Sequence, residues 1–289
     1  MPTQSEMRRA PPPIGESLQE YGRGLAGGLL FSLPLLYTME VWWTGFIAHP
    51  HRLTGLLAFT FVLLLGYNRF AGMRHDADWL EVAIDSVEEL GLGLVTSTAV
   101  LYLLGRIGPG MSSGEVLGQI VTEAAVVAIG FSVGTAQLNA SSEDNVGEGN
   151  EPRSEGRSPR FIRELVIAFC GAVLFAANVA PTEEIVVIAV ETGPFRLAAL
   201  ALVSLGMGSA ILYFTNFKRA DTLLHRGSKT GIVLGTTVTY AVALAASAII
   251  LWFFGRFDDV AADVAVRQVV VLAFPGALGA SAGRLLLGL

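Results

Sequence analysis

The chain has a single cysteine, Cys170, among 289 residues, so it forms no internal disulfide. One thiol and four scattered histidines cannot supply a tetrahedral zinc set. No P-loop or dinucleotide fingerprint is present, so nucleotide-driven or flavin chemistry would need another subunit. Charge is scarce: 15% of residues are Asp, Glu, Lys or Arg, against about 25% in an ordinary soluble domain. The net charge is −6 and no basic stripe exists, which argues against a nucleic-acid partner. What fills the chain instead is apolar: 52% hydrophobic residues and a mean hydropathy of +0.57.

Several apolar runs exceed the roughly 18 residues needed to cross about 30 Å of hydrocarbon. The expected fold is all-α, a polytopic membrane bundle of eight spans at about 25–48, 53–72, 80–105, 115–138, 165–191, 196–217, 230–254 and 265–287. The stretch before them, 1–24, is a polar tail containing Pro11, Pro12 and Pro13. The first apolar run, about 24 residues, is too long for a signal-peptide core and reads as an uncleaved span. Residues 139–160, rich in Ser, Glu, Asn, Gly and Pro, read as a flexible linker between membrane units 25–138 and 161–289. Of the 19 basic residues, all but Arg52, Arg106, Arg196, Arg256 and Arg267 fall in the tail, alternate loops and C-terminal end. That bias places both termini in the cytoplasm and the chain in the inner (plasma) membrane. Trp42, Trp43, Trp79 and Trp252 lie near span ends, as interfacial anchors do.

The chain is also written twice. Thr38, Glu40, Pro50 and Arg52 recur 144 positions later as Thr182, Glu184, Pro194 and Arg196. Ser97, Gly105 and Arg106 recur at an offset of 150 as Ser247, Gly255 and Arg256. Gln119, Gly130, Ser132 and Gly134 recur at 149 as Gln268, Gly279, Ser281 and Gly283. Four spans per half predict a tandem, parallel repeat, a construction transporters use with the working site near the interface of the halves.

Acids inside these runs are the functional lead, because an intramembrane charge is costly. Counting about 1.5 Å per residue puts Glu40, Glu184 and Glu123 in one layer on the outer side of the midplane. Glu183 stands beside Glu184. Asp78, Glu81, Asp85 and Glu88 share one helical face, read either as an inward stripe on a full third span or as an amphipathic surface helix. On the first reading Asp85, Glu88 and Glu89 form a second, inner layer. Few basic residues fall at these depths, so cations or protons are the natural partners. Pro181 breaks the fifth span and frees carbonyls beside Thr182, Glu183 and Glu184, with Asn178 one turn before, and Pro34 kinks the first span.

Gly130–Gly134 and Gly279–Gly283 match the G-x-S-x-G nucleophile elbow, but each lies within a predicted membrane helix and no histidine lies within a span to activate the serine. The spacing reads as small-residue helix packing, and no enzyme is expected. The two halves, their polar linker and the Ala180–Ile185 stretch together resemble a family of bacterial multi-pass integral membrane proteins of unknown function, over nearly the whole chain. That resemblance implies a membrane location and brings no site residues. Locally, Asn178 to Glu184 is similar to the Pro-Glu core of cation/calcium exchanger repeats, which implies an ion site on a broken helix at Glu183 and Glu184. Those exchangers differ in having more spans, inverted repeats and acids in both repeats, whereas here Glu183 is matched by Met39.

The expected function is therefore cation transport or proton-coupled cation exchange in a lipid bilayer, without a cofactor. Glu40, Glu183, Glu184 and Glu123 would hold a small cation or proton, and Asp85 and Glu88 would form the inner layer. The alternative is a non-transporting membrane scaffold whose acids are structural. Both are compatible with a homo-oligomer.

Overall fold

In the computed structural model, backbone is described for residues 14–71, 78–143, 157–218 and 229–287, and these contain ten helices and no strand. They are α1 Ile14–Leu36, α2 Met39–Ile47, α3 Pro50–Phe70, α4 Trp79–Leu103, α5 Ser113–Glu143, α6 Arg157–Val179, α7 Glu183–Glu191, α8 Pro194–Lys218, α9 Lys229–Phe253 and α10 Ala262–Leu287. The order long, short, long, long, long thus occurs twice.

Local chemistry accounts for the boundaries. Pro50 and Pro194 each open a helix at its first position, where the missing N–H costs nothing. Ser112 and Glu115 form a reciprocal capping box at the start of α5: the Glu115 carboxylate accepts from the Ser112 N–H at 2.7 Å and the Ser112 hydroxyl from the Glu115 N–H at 3.3 Å. α4 and α9 both end on a left-handed glycine, Gly105 (φ +66°) and Gly255 (φ +70°). In each, the next N–H, of Arg106 or Arg256, reaches back to the carbonyl of Leu101 or Leu251 at 2.8 and 2.9 Å, a Schellman closure that a β-carbon would strain.

The span count differs from expectation. Six helices (α3, α5, α6, α8, α9 and α10) are long and apolar enough to cross a membrane, and α1 with α2 makes a seventh if the pair is one span. Between α1 and α2 the chain bends by 85° at Tyr37–Thr38. α2 and α7 have nine residues each, about 14 Å, too short to cross. The runs read as single spans at 25–48 and 165–191 are therefore broken. The expected third span is one continuous helix, α4, whose first half carries Glu81, Asp85, Glu88 and Glu89 and which is not among the six. At the predicted linker, α5 runs to Glu143 and α6 begins at Arg157, so its edges are helical. Residues 144–156, and 1–13 of the expected tail, lie outside the described residues.

Packing follows the same scheme in each half. α1 packs most closely on α5, and α6 on α10. Backbones meet there through glycine: a β-carbon on Gly27 would lie 2.5 Å from the Gly134 Cα and 2.7 Å from the Gly130 carbonyl, and one on Gly279 would press on the Gly171 carbonyl and lie 2.8 Å from the Phe175 side chain. The G-x-S-x-G glycines are thus helix-packing residues. α5 is the most enclosed helix, with 89% of its apolar window buried, against 50% for α10. The halves join through Phe59 against Phe169 and Phe253, through the Asn178 amide donating to the Phe31 carbonyl at 2.9 Å, and through an Arg52–Asp258 ion pair. The α4–α5 turn meets α2, and the α9–α10 turn meets both the α6–α7 break and the start of α3, so the broken ends of both halves lie together.

Filling a glycine contact tests this packing. Gly134→Ala and Gly279→Ala should each cost about 1–3 kcal/mol, the usual cost of overpacking, and lower the detergent melting midpoint. Gly206→Ala, where nothing lies within 4 Å of an added β-carbon, should leave it unchanged.

Candidate functional site

The predicted acids separate into four environments. Glu40 and Glu184 occupy the first turns of the short helices α2 and α7, Glu40 half-buried and Glu184 exposed on the protein surface. Acids in a first turn are favoured by the helix dipole, which gives them a local structural reason. The depth count that grouped them with Glu123 assumed straight spans, and the chain breaks before each of them.

Glu183 is paired. The Arg256 guanidinium donates to its carboxylate at 3.2 Å, to the Ala180 carbonyl at 3.2 Å and to the Pro181 carbonyl. The Ala180 and Pro181 carbonyls at the break are therefore capped by arginine rather than left for an ion. Few basic residues were expected near these acids, and Arg256 is one of them because it follows the glycine turn closing α9, which folds back onto the break. Its counterpart in the first half, Arg106, lies 4.5 Å above the Trp42 ring on α2. Trp42 is half-buried under that guanidinium, while Trp43 and Trp79 are exposed.

The acids of α4 do not act as one stripe. Glu88 is exposed and accepts from the Tyr21 hydroxyl, and Asp85 is half-buried. Glu89 is the one that enters a network. The Asn68 amide donates to Glu89 at 2.7 Å and to Ser86 at 3.1 Å, and its carbonyl accepts from Ser132 at 2.9 Å. Asn68, Ser86 and Ser132 were not singled out as site residues in the sequence, because uncharged polar groups at helical spacing look like packing. The signal was the serine within Gly130–Gly134, which faces Asn68.

Glu123 stands apart. It lies on α5, is 0% exposed, and neither carboxylate oxygen has a hydrogen-bond partner among the described residues. It sits about 15 Å along α5 from that helix's start. α2 crosses α5 between the two: Gly45 abuts Gln119, where an added β-carbon would lie 2.8 Å from the Gln119 Cα. α5 as a whole packs on α1, α2, α3 and α4, with α2 crossing it on the broken-end side of Glu123. An open apolar groove along α4, lined by Leu94, Val95, Thr98, Ala99, Tyr102 and Ile107, holds no carboxylate.

Outside the spans, the α9–α10 turn carries Asp258, whose carboxyl is held below its ordinary value first by the hydrogen bond from Arg52. Because the folded value is lowered, the pair's contribution is complete above the unfolded carboxyl range near 4 and is lost as pH falls through the folded value. The melting difference between wild type and Asp258→Asn should be full at pH 7 and vanish in strong acid. A difference that grew on acidification would contradict the pairing.

Among the described residues no group of three or more His, Cys, Asp or Glu converges as a metal site. The family model described as "Putative integral membrane protein (DUF2391)" matches residues 20–287. No curated protein and no solved structure matches the chain.

Proposed function

We propose, from the premise that this chain belongs to the DUF2391 family of integral membrane proteins, that it moves protons or small cations across the bilayer with Glu123 as the carrier carboxyl. The observation that carries this reading is the complete burial of Glu123 with both oxygens unpartnered among the described residues, on the most enclosed of the six candidate spans. A lone carboxylate in an apolar interior is unfavourable by many kcal/mol, so the group holds a proton or a cation whenever the site is closed. The Glu89–Asn68–Ser132 network lies nine residues further along α5 at Ser132, about 13 Å away, and supplies a second hydrogen-bonded station on the same helix. Orientation with both termini cytoplasmic, residence in the inner membrane and descent from a duplicated half belong to the same reading, which includes no enzymatic step. The basic-residue bias and the recurring order of elements support them.

One observation favours the alternative scaffold: Glu183, the acid in the most exchanger-like stretch, is tied to Arg256 as a brace. Liposomes holding the purified protein and an internal pH dye separate the two readings. Wild type should move protons under an imposed cation gradient or voltage, Glu123→Gln should abolish that flux while remaining folded, and Glu184→Gln should retain it. Equal flux from wild type and a folded Glu123→Gln protein would remove Glu123 from transport. No flux from wild type would leave the scaffold.

A further inference from the structure

We infer that the first half holds a binding site for one anionic phospholipid, with an acyl chain in the groove along α4 and the phosphate on Arg106. The site is independent of the transport reading. The groove is lined by Leu94, Val95, Thr98, Ala99, Tyr102 and Ile107. The first five lie at helical spacing on one face of α4, over about 12 Å from Leu94 to Tyr102. Ile107 lines it at the α4–α5 turn, where it clusters with Leu101 and Ile120, and Trp42 and Leu94 pack against that cluster. The lining asks for no hydrogen bond along its length, because the Thr98 hydroxyl already donates to the Leu94 carbonyl at 2.7 Å. An apolar chain fits such a surface, and a polar ligand would be desolvated there without compensation.

The charge at the turn end is Arg106, the residue before Ile107. Its side chain is exposed, lies over the half-buried Trp42 ring and donates to the Leu104 carbonyl at 3.3 Å. No carboxylate pairs with it among the described residues. Its counterpart Arg256 commits the same guanidinium to Glu183 and to the Ala180 and Pro181 carbonyls. The neighbouring acids are engaged or turned away. Glu115 holds the Ser112 N–H in the capping box, and Glu40 stands two residues from Trp42, about 200° round α2. A guanidinium stacked on a ring keeps its in-plane N–H fork for two phosphate oxygens. Tyr102, exposed at the same end of the groove, is of the residue type that sits at headgroup level.

The two parts of the site do different work. An acyl chain gains little by entering the groove, because the surrounding lipid tails are as apolar as its lining. The groove therefore positions the lipid, and the phosphate contact selects it. A zwitterionic lipid carries an ammonium beside its phosphate, which the guanidinium repels, so the site prefers a headgroup of net negative charge. Size separates a lipid chain from a helix of a second copy. The groove has a volume of about 480 Å³. A helix about 10–12 Å across would take up roughly 1,000 Å³ over the same length. The groove thus seats a slender chain.

The test uses the purified full-length chain in detergent, with bound lipid counted by native mass spectrometry as phosphatidylglycerol or phosphatidylcholine is added, and melting followed beside it. Wild type should take up its first phosphatidylglycerol at a lower concentration than phosphatidylcholine. Arg106→Gln should raise the phosphatidylglycerol concentration needed by about fivefold, the worth of one basic residue against an anionic lipid surface. Ala99→Phe keeps the arginine, fills the groove from an exposed position and should weaken both lipids. It carries the test if Arg106→Gln does not fold. Arg196→Gln, which removes an exposed arginine of the other half, should change neither. Equal uptake of the two lipids by wild type, or unchanged uptake by folded Arg106→Gln, would overturn the anionic site. The same loss in Arg196→Gln would reduce it to general attraction and overturn it as well. A folded Ala99→Phe protein that binds as wild type does would overturn the groove as the seat of the chain. A wild-type dimer that Ala99→Phe dissociates would put a second copy in the groove and overturn the lipid.

Discussion

The close approach of α1 to α5, and of α6 to α10, is the contact from which the rest of the bundle follows. In lipid no hydrophobic force drives one helix against another, so association depends on backbone approach and interhelical bonding. Gly27 against Gly130 and Gly134, and Gly171 against Gly279 and Gly283, provide that approach. With α1 drawn onto α5, the other helices of the first half close around α5 and make it the most enclosed element. The isolation of Glu123 is a consequence of that enclosure rather than of its depth alone.

A second constraint acts at the broken ends. A chain that leaves α1 and α6 in short crossing helices must satisfy the backbone groups freed at each break. The first half does so locally, with the Thr38 hydroxyl returning to the Pro34 carbonyl and the Thr38 N–H to the Leu35 carbonyl at 3.0 Å. The second half makes similar local bonds, the Thr182 N–H and hydroxyl both returning to the Val179 carbonyl at 3.1 and 2.8 Å, and adds Arg256 from a neighbouring turn. The two halves therefore share an order of elements and differ in chemistry: the first keeps a buried carboxyl under α2, and the second spends its acid on an arginine brace.

Much of this was legible in the chain itself. Apolar runs and the low share of charged residues pointed to an all-α membrane bundle, and Pro181 marked the α6–α7 break. Other features were hidden for identifiable reasons. α2 continues the apolar run of α1, so hydropathy joins two helices that meet at 85°, and Pro34 alone suggested a kink rather than a turn. Glu40, Glu123, Glu183 and Glu184 looked alike because hydropathy reports depth and not neighbours. Only the fold brings Arg256 to Glu183 and leaves Glu123 without a hydrogen-bond partner among the described residues. The recurring pairs Ser97/Ser247 and Gln119/Gln268 were visible as duplicated positions. Their burial required the helices to be packed.

The central claim, that Glu123 is the carrier carboxyl, is tested most directly by infrared difference spectroscopy on the protein in lipid, raising the pH or exchanging choline for a small cation. The account predicts loss of a protonated-carboxyl stretch and gain of a carboxylate band in wild type, with both absent from Glu123→Gln. A difference spectrum that is the same in the two proteins would contradict it.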